Sequence, residues 1–167
     1  QAAVDAHTTV MSLMNGVDSE DIIASAIGEE HMIYSLIKVA SAYQEGRGYC
    51  FDPAITIGII YGEAKEPRES VRIHALQEVF GKTRLNTRAT DCIREEIWNK
   101  FRLNVCNNLP QAILGAGVGC YRDSVHMKAI SDGLRHEVEQ IAAAKGVDKE
   151  KLASLTSTGC AVPPSAR

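Results

Sequence analysis

One lysine and two asparagines carry the chemical interest of this chain. Lys100, Asn104 and Asn108 follow one another at a spacing of four inside residues 98–108, a stretch that otherwise reads as a buried helix. That spacing advances a helix by slightly more than one turn, so the three side chains rise along one face. Asparagine is a poor helix former because its amide competes for backbone hydrogen bonds. A helix that sets Asn104, Asn107 and Asn108 among Phe101, Leu103 and Val105 gives up local stability, and local rules tend to break at functional sites. Two readings of Lys100 stand side by side. At the edge of an apolar stripe through Ile97, Phe101 and Val105, it fits a snorkelling lysine whose stem covers apolar surface. It also fits a partly desolvated amine whose pKa falls towards neutrality, which suits a general acid. In the second reading, Asn104 and Asn108 hold the lysine, or a substrate carbonyl or hydroxyl, with neutral donors and acceptors.

Asn15-Gly16 is a second candidate. It follows an apolar, β-branched run at residues 8–13, and open α/β sheets bind ligands at the carboxyl ends of their strands. Asn-Gly is also a common turn pair, and a plain turn fits it as well. Gly115-Ala116-Gly117-Val118-Gly119 invites a nucleotide-loop reading that its spacing refuses. The G-x-G-x-x-G pattern needs glycine where Cys120 stands, and the segment follows a helix instead of a strand. It reads as a loop joining two helices.

Five cysteines and five histidines are scattered, with no C-x-x-C, no H-E-x-x-H and no zinc-ligand spacing. No metal site is expected, and reduced thiols in a cytoplasmic protein are the preferred reading. The chain has 167 residues, 45% apolar and 23% charged, and a net charge of -3. That is a globular composition without the basic field that nucleic acid or an anionic membrane would need. No apolar stretch reaches the roughly 18 residues of a membrane helix, and no signal peptide is read. The start at Gln1 and the Pro-Pro-Ser ending suggest a fragment cut at both ends.

The elements that must position these residues change character along the chain. Strands are expected at 8–13, 32–40, 49–51, 55–61 and 83–86, with a turn at Gly46-Arg47-Gly48. A helix capped by Asp18 should turn Ile22, Ile23, Ala26 and Ile27 inward and stop at Gly28. Pro67 should open another, with Val71, Ala75, Leu76, Val79 and Phe80 as its stripe. After residue 88 the strands end. Thr90 or Asp91 caps a helix through Ile93, Ile97, Phe101 and Val105. Asp123 caps one through Ile130, Leu134, Val138 and Ile141, and Asp148 caps a last one between Val147 and Leu152. A boundary at 88–90 therefore separates an α/β part, residues 1–89, from a helical part, residues 90–167.

The strings Leu13-Met14-Asn15-Gly16-Val17-Asp18 and Asp91-Cys92-Ile93-Arg94-Glu95-Glu96-Ile97-Trp98-Asn99-Lys100-Phe101, followed by Asn104 and Asn108, resemble the ketopantoate reductase (2-dehydropantoate 2-reductase) family. Gly133-Leu134-Arg135-His136-Glu137-Val138 fits that family's next helix. The resemblance implies an incomplete Rossmann-type NADPH domain followed by an all-α C-terminal domain. It implies that Lys100 is the general acid, that Asn104 and Asn108 contact substrate, and that Asn15 lies near both nicotinamide and substrate. The implied reaction is reduction of a 2-keto acid, foremost 2-dehydropantoate to pantoate in pantothenate biosynthesis. A cation beside the carbonyl would stabilise the developing negative charge, and the cofactor would supply the hydride. Where many members carry a polar asparagine before a glycine, this chain has Val118-Gly119. That leaves open a related 2-keto acid dehydrogenase with another substrate. A non-enzymatic helical interaction or dimerisation module is the other alternative. An exposed sheet edge should favour pairing with a second copy.

Overall fold

The apolar run Met32–Lys38 forms β2, a strand of a four-stranded sheet in the order β1 (Val10–Met11), β2, β5 (Gly58–Gly62), β6 (Thr87–Ala89). The computed structural model describes residues 4–39, 41–54, 56–65 and 70–155. β1 runs parallel to β2 and β5 parallel to β6, whereas β2 and β5 are antiparallel, with Leu36 opposite Ile60. Strand side chains alternate between faces. Met32, Tyr34 and Leu36 meet Ile60, Ile93 and Ile97 on one side, backed by Ile23, Ala24 and Ile27 of α1 (Ser19–Ile27). Ile33, Ile59 and Tyr61 meet Ile73 on the other, backed by Leu76 and Phe80 of α2 (Val71–Phe80). Burial on both faces explains why β2 and β5 read as mostly apolar runs without alternation.

The chain between β2 and β5 folds into an exposed hairpin, β3 (Ser41–Gln44) with β4 (Gly48–Phe51). The expected turn at Gly46 closes it, with Arg47 N donating to Gln44 O at 3.1 Å. β3 was not expected, because its Ser-Ala-Tyr-Gln sequence has no apolar side to bury.

Several expected elements are shifted, each by a visible competitor. The strand at 8–13 is reduced to Val10–Met11. The strand expected at 83–86 is Thr87–Ala89 instead. Thr83 Oγ1 donates to Phe80 O and accepts from Leu85 N, which commits residues 83–85 to a turn after α2. The strand expected at 55–61 begins at Gly58, with Ile55 outside the described residues. Asn86 Nδ2 ties Pro53 O and Thr56 O into a loop ahead of it. In α1, Ile22 and Ala26 are exposed, and Asp18 makes no side-chain cap bond. Pro67 lies outside the described residues. α2 starts at Val71, where Ser70 Oγ accepts from Ile73 N. Its inward stripe is Ile73, Leu76 and Phe80, leaving Val71, Ala75 and Val79 exposed.

The helical part contains α3 (Ile93–Leu103), a π-helical segment Asn104–Asn108, α4 (Leu109–Leu114), α5 (Cys120–Asp123), α6 (Val125–Ala144) and α7 (Lys149–Ser154). Two compact units, Gln1–Lys100 and Phe101–Arg167, divide inside α3. α6 is capped by Ser124, not Asp123. Ser124 Oγ accepts from Met127 N at 3.3 Å, while Asp123 is engaged by Arg122. Its buried stripe is Met127, Ser131, Val138 and Ala142, so Ile130 and Ile141 face outward, contrary to expectation. Asp148 caps α7 as expected, with Val147 and Leu152 buried on either side.

The corrected cap gives a direct test. Ser124→Ala should cost about 1 kcal/mol in urea unfolding, the usual value of an N-cap, and Asp123→Ala should cost much less. The reverse order would restore Asp123 as the cap.

Candidate functional site

Lys100 lies on the fourth position after Glu96, the register in which glutamate and lysine usually pair on a helix. They do not pair here. Glu96 is buried, and its two oxygens go elsewhere: Oε2 accepts from Lys38 Nζ at 3.1 Å and Oε1 from an Arg88 guanidinium nitrogen at 2.5 Å. Lys38 reaches this point because it continues the Met32, Tyr34, Leu36 face of β2, against which α3 packs. Lys100 itself is half-buried, and its side chain makes no hydrogen bond or ion pair with any described residue. Its pKa lies below the ordinary lysine value. Burial is the main cause, the charge of Lys38 adds to it, and the carboxylate of Glu20 opposes both.

Glu20 sits at the start of α1 with 2% of its surface exposed. It accepts from Ser19 Oγ at 2.8 Å, and Ser19 Oγ lies 3.0 Å from Ser12 Oγ. Ser35 Oγ donates to Ser12 O at 2.7 Å. These serines brace both ends of the loop that carries Asn15. Asn15 is exposed at the carboxyl end of β1, and Gly16 beside it has φ +107°, which glycine adopts without strain. No described hydrogen bond joins Asn15 to Lys100.

Asn104 and Asn108 do come together. Asn108 Nδ2 donates to Asn104 Oδ1 at 2.8 Å. Their backbone is π-helical, with Leu109 N donating to Asn104 O. Such widened turns recur at functional sites. The cause lies two residues on. Pro110 has no N–H, and its ring would collide with the carbonyl four residues back in a regular helix. Widening the turn relieves that collision. Proline at position 110 was the sequence signal for this irregularity and went unused. Glu20 and Lys38 were also missed, because each comes near Lys100 through tertiary contact, whereas Glu96, one turn before Lys100 on α3, was legible from its spacing and went unused.

The remaining features carry less chemistry. A hollow of about 40 Å³ lined by Arg102, Glu139, Ala142 and Leu152 contains none of the expected site residues. Among the described residues, no group of three or more His, Cys, Asp or Glu could hold a metal ion. Cys50, Cys92, Cys106 and Cys120 are free thiols, and Cys160 lies outside the described residues. No helix among the described residues is long and apolar enough to cross a membrane.

A partial α/β sheet followed by a helical domain is the architecture of the ketopantoate reductases. Residues 92–164 match the family model of the ketopantoate reductase PanE/ApbA C-terminal domain. The resemblance read from the sequence is thus borne out over part of the chain, as a match to that domain and to relatives of that name. The chain is similar to a 2-dehydropantoate 2-reductase of Streptococcus pyogenes serotype M6, with 27% identity over 148 residues, covering 85% of this chain and 45% of the relative. A crystal structure of 2-dehydropantoate 2-reductase from Geobacter metallireducens matches at 25% identity and a TM-score of 0.72, covering 96% of this chain and 55% of that one. A complex of D-mandelate dehydrogenase with NADH shares the fold at 18% identity and a TM-score of 0.72, covering 98% and 54%. The chain spans about half the length of these relatives, which are oxidoreductases.

Proposed function

We propose that this chain is part of a nicotinamide-dependent reductase of a 2-keto acid, with 2-dehydropantoate as the substrate and NADPH as the electron donor. The observation that carries the reading is Lys100: a half-buried amine, with no partner among the described residues, on a helical run that continues into a π-turn bearing two linked amides. The cofactor, when bound, would supply the hydride. The part of its site that this chain offers is the loop after β1. Asn15 is exposed there, and nothing lies within 4 Å of where a side chain on Gly16 would begin. That open, amide-bearing loop fits a nicotinamide.

Lys100 gives a proton to the ketone oxygen as charge develops on it. Asn104 and Asn108 bind the substrate. Linked as they are, they still offer the NH₂ of Asn104 and the carbonyl oxygen of Asn108. Reduction of 2-dehydropantoate to pantoate places the protein in pantothenate biosynthesis. A cytoplasmic location, which scattered thiols support, and a homodimer belong to the same proposal. Val118, standing where many members of the family carry asparagine, supports a second reading: the same chemistry on a different 2-keto acid.

The test is titration of the intact gene product with NADPH and NADH, followed by turnover on 2-dehydropantoate and other 2-keto acids. Saturable NADPH binding with 2-dehydropantoate reduction upholds the first reading. Turnover on another 2-keto acid alone selects the second, and a protein that binds neither nucleotide is a helical interaction module instead.

A further inference from the structure

The most unusual electrostatic feature of the first unit is a glutamate that ignores its own helix partner. Glu96 could pair with Lys100 one turn on, in the favourable glutamate-first orientation. Both of its oxygens are taken, by Lys38 from β2 and by Arg88 from the middle of β6. Lys38 is fixed by this bond with 18% of its side chain exposed, and the Glu96 side chain is 3% exposed. Among the described residues, the charged groups acting on Lys100 are Lys38 from the sheet and Glu20 from α1, with Glu96 one turn before it on α3. Among these, Glu20 alone offers a negative charge that no described cation bonds, and its oxygen Oε2 is bonded to Ser19.

We propose that Lys38, clamped by Glu96, is a positioning residue that holds a second cation beside Lys100 and keeps the Lys100 ammonium unpaired, ready to pass its proton to substrate. The pieces need one another. Without Lys38, the Glu96 oxygen it occupies becomes free to draw Lys100 into the ordinary helix pair. Without Glu96, Lys38 is an unneutralised charge facing Lys100. Arg88 holds the other oxygen, so Glu96 remains bonded whichever lysine it meets. The role rests on the proposed general-acid function of Lys100, but the electrostatic coupling does not.

The experiment titrates Lys100 directly, by NMR of its labelled ε-carbon in the intact protein, with the resonance assigned by its loss in Lys100→Arg. Lys38→Met should raise the Lys100 midpoint by about one unit, towards the ordinary lysine value of about 10.4. Lys38→Arg, which keeps the charge and the bond, should leave it near wild type. Glu96→Gln should move the midpoint the other way, because the charge of Lys38 is then uncompensated. In full-length enzyme, the alkaline limb of kcat should follow the Lys38→Met shift while the Kd for NADPH stays constant. A midpoint unchanged in Lys38→Met overturns the proposal. Should that variant not fold, an unchanged or raised midpoint in Glu96→Gln overturns it as well. If the midpoints shift as described but no variant or wild type reduces a keto acid, the coupling stands and the reductase reading falls.

Discussion

Replacing Lys100 with alanine in the full-length protein should lower kcat by roughly a thousandfold, within the range general acids contribute, while NADPH still binds. The argument is local. The Lys100 side chain makes no hydrogen bond or ion pair with any described residue, so its removal breaks no such bond and the fold should survive. What disappears is the proposed proton donor, an amine whose pKa is lowered first by burial and then by Lys38. Lys100→Arg should not rescue turnover, since guanidinium keeps its proton across the accessible range. The pH dependence follows with a definite sign. Reduction needs the ammonium, so its rate falls as pH rises through the lowered pKa. The reverse oxidation needs the neutral amine and rises over the same interval. A Lys100→Ala enzyme with wild-type turnover would end the assignment of this lysine.

The largest expected effect on stability is at Glu96. Glu96→Ala should destabilise the fold by about 3 kcal/mol, because removing one member of a buried ion cluster strands the others. Lys38 is the costly one. It is mostly buried, whereas Arg88 is about half exposed and can turn to water. Urea unfolding of the intact protein measures the loss, read as a lower midpoint at unchanged slope. A loss below about 1 kcal/mol, as for an exposed pair, would mean that Lys38 finds water when Glu96 is gone.

The parts of this molecule that follow simple periodicity were legible in the sequence. Met32–Lys38 announced itself by continuous apolar residues, and the Ile93, Ile97 stripe of α3 appeared at its proper spacing. Asp148 between Val147 and Leu152 gave the start of α7. Where two stripes compete on one helix, the sequence does not choose. Ile73, Leu76 and Phe80 prevail over Val71, Ala75 and Val79 because the sheet offers Ile33, Ile59 and Tyr61 to the first set. Turn chemistry decided the strand edges, as Thr83 and Asn86 show. Lys100, Asn104 and Asn108 could be singled out in advance because they share one helical run. Lys38 and Glu20 could not, since 58 residues separate Lys38 from Glu96 and only the packing of α3 on β2 unites them.

Behind the amide pair, the carbonyl of Asn107 receives two donors, Gln111 Nε2 at 3.1 Å and Tyr121 OH at 2.6 Å. One donor precedes the glycine-rich stretch 115–119 and the other follows it, so a single oxygen fastens both sides like the knot of an eyelet. The stretch inside can then vary in composition without its ends drifting. A methyl on Gly117 meets nothing within 4 Å, while Gly115, at φ +61°, alone holds a backbone turn that other residues resist. The eyelet gives evolution a place to change residues without moving the amides.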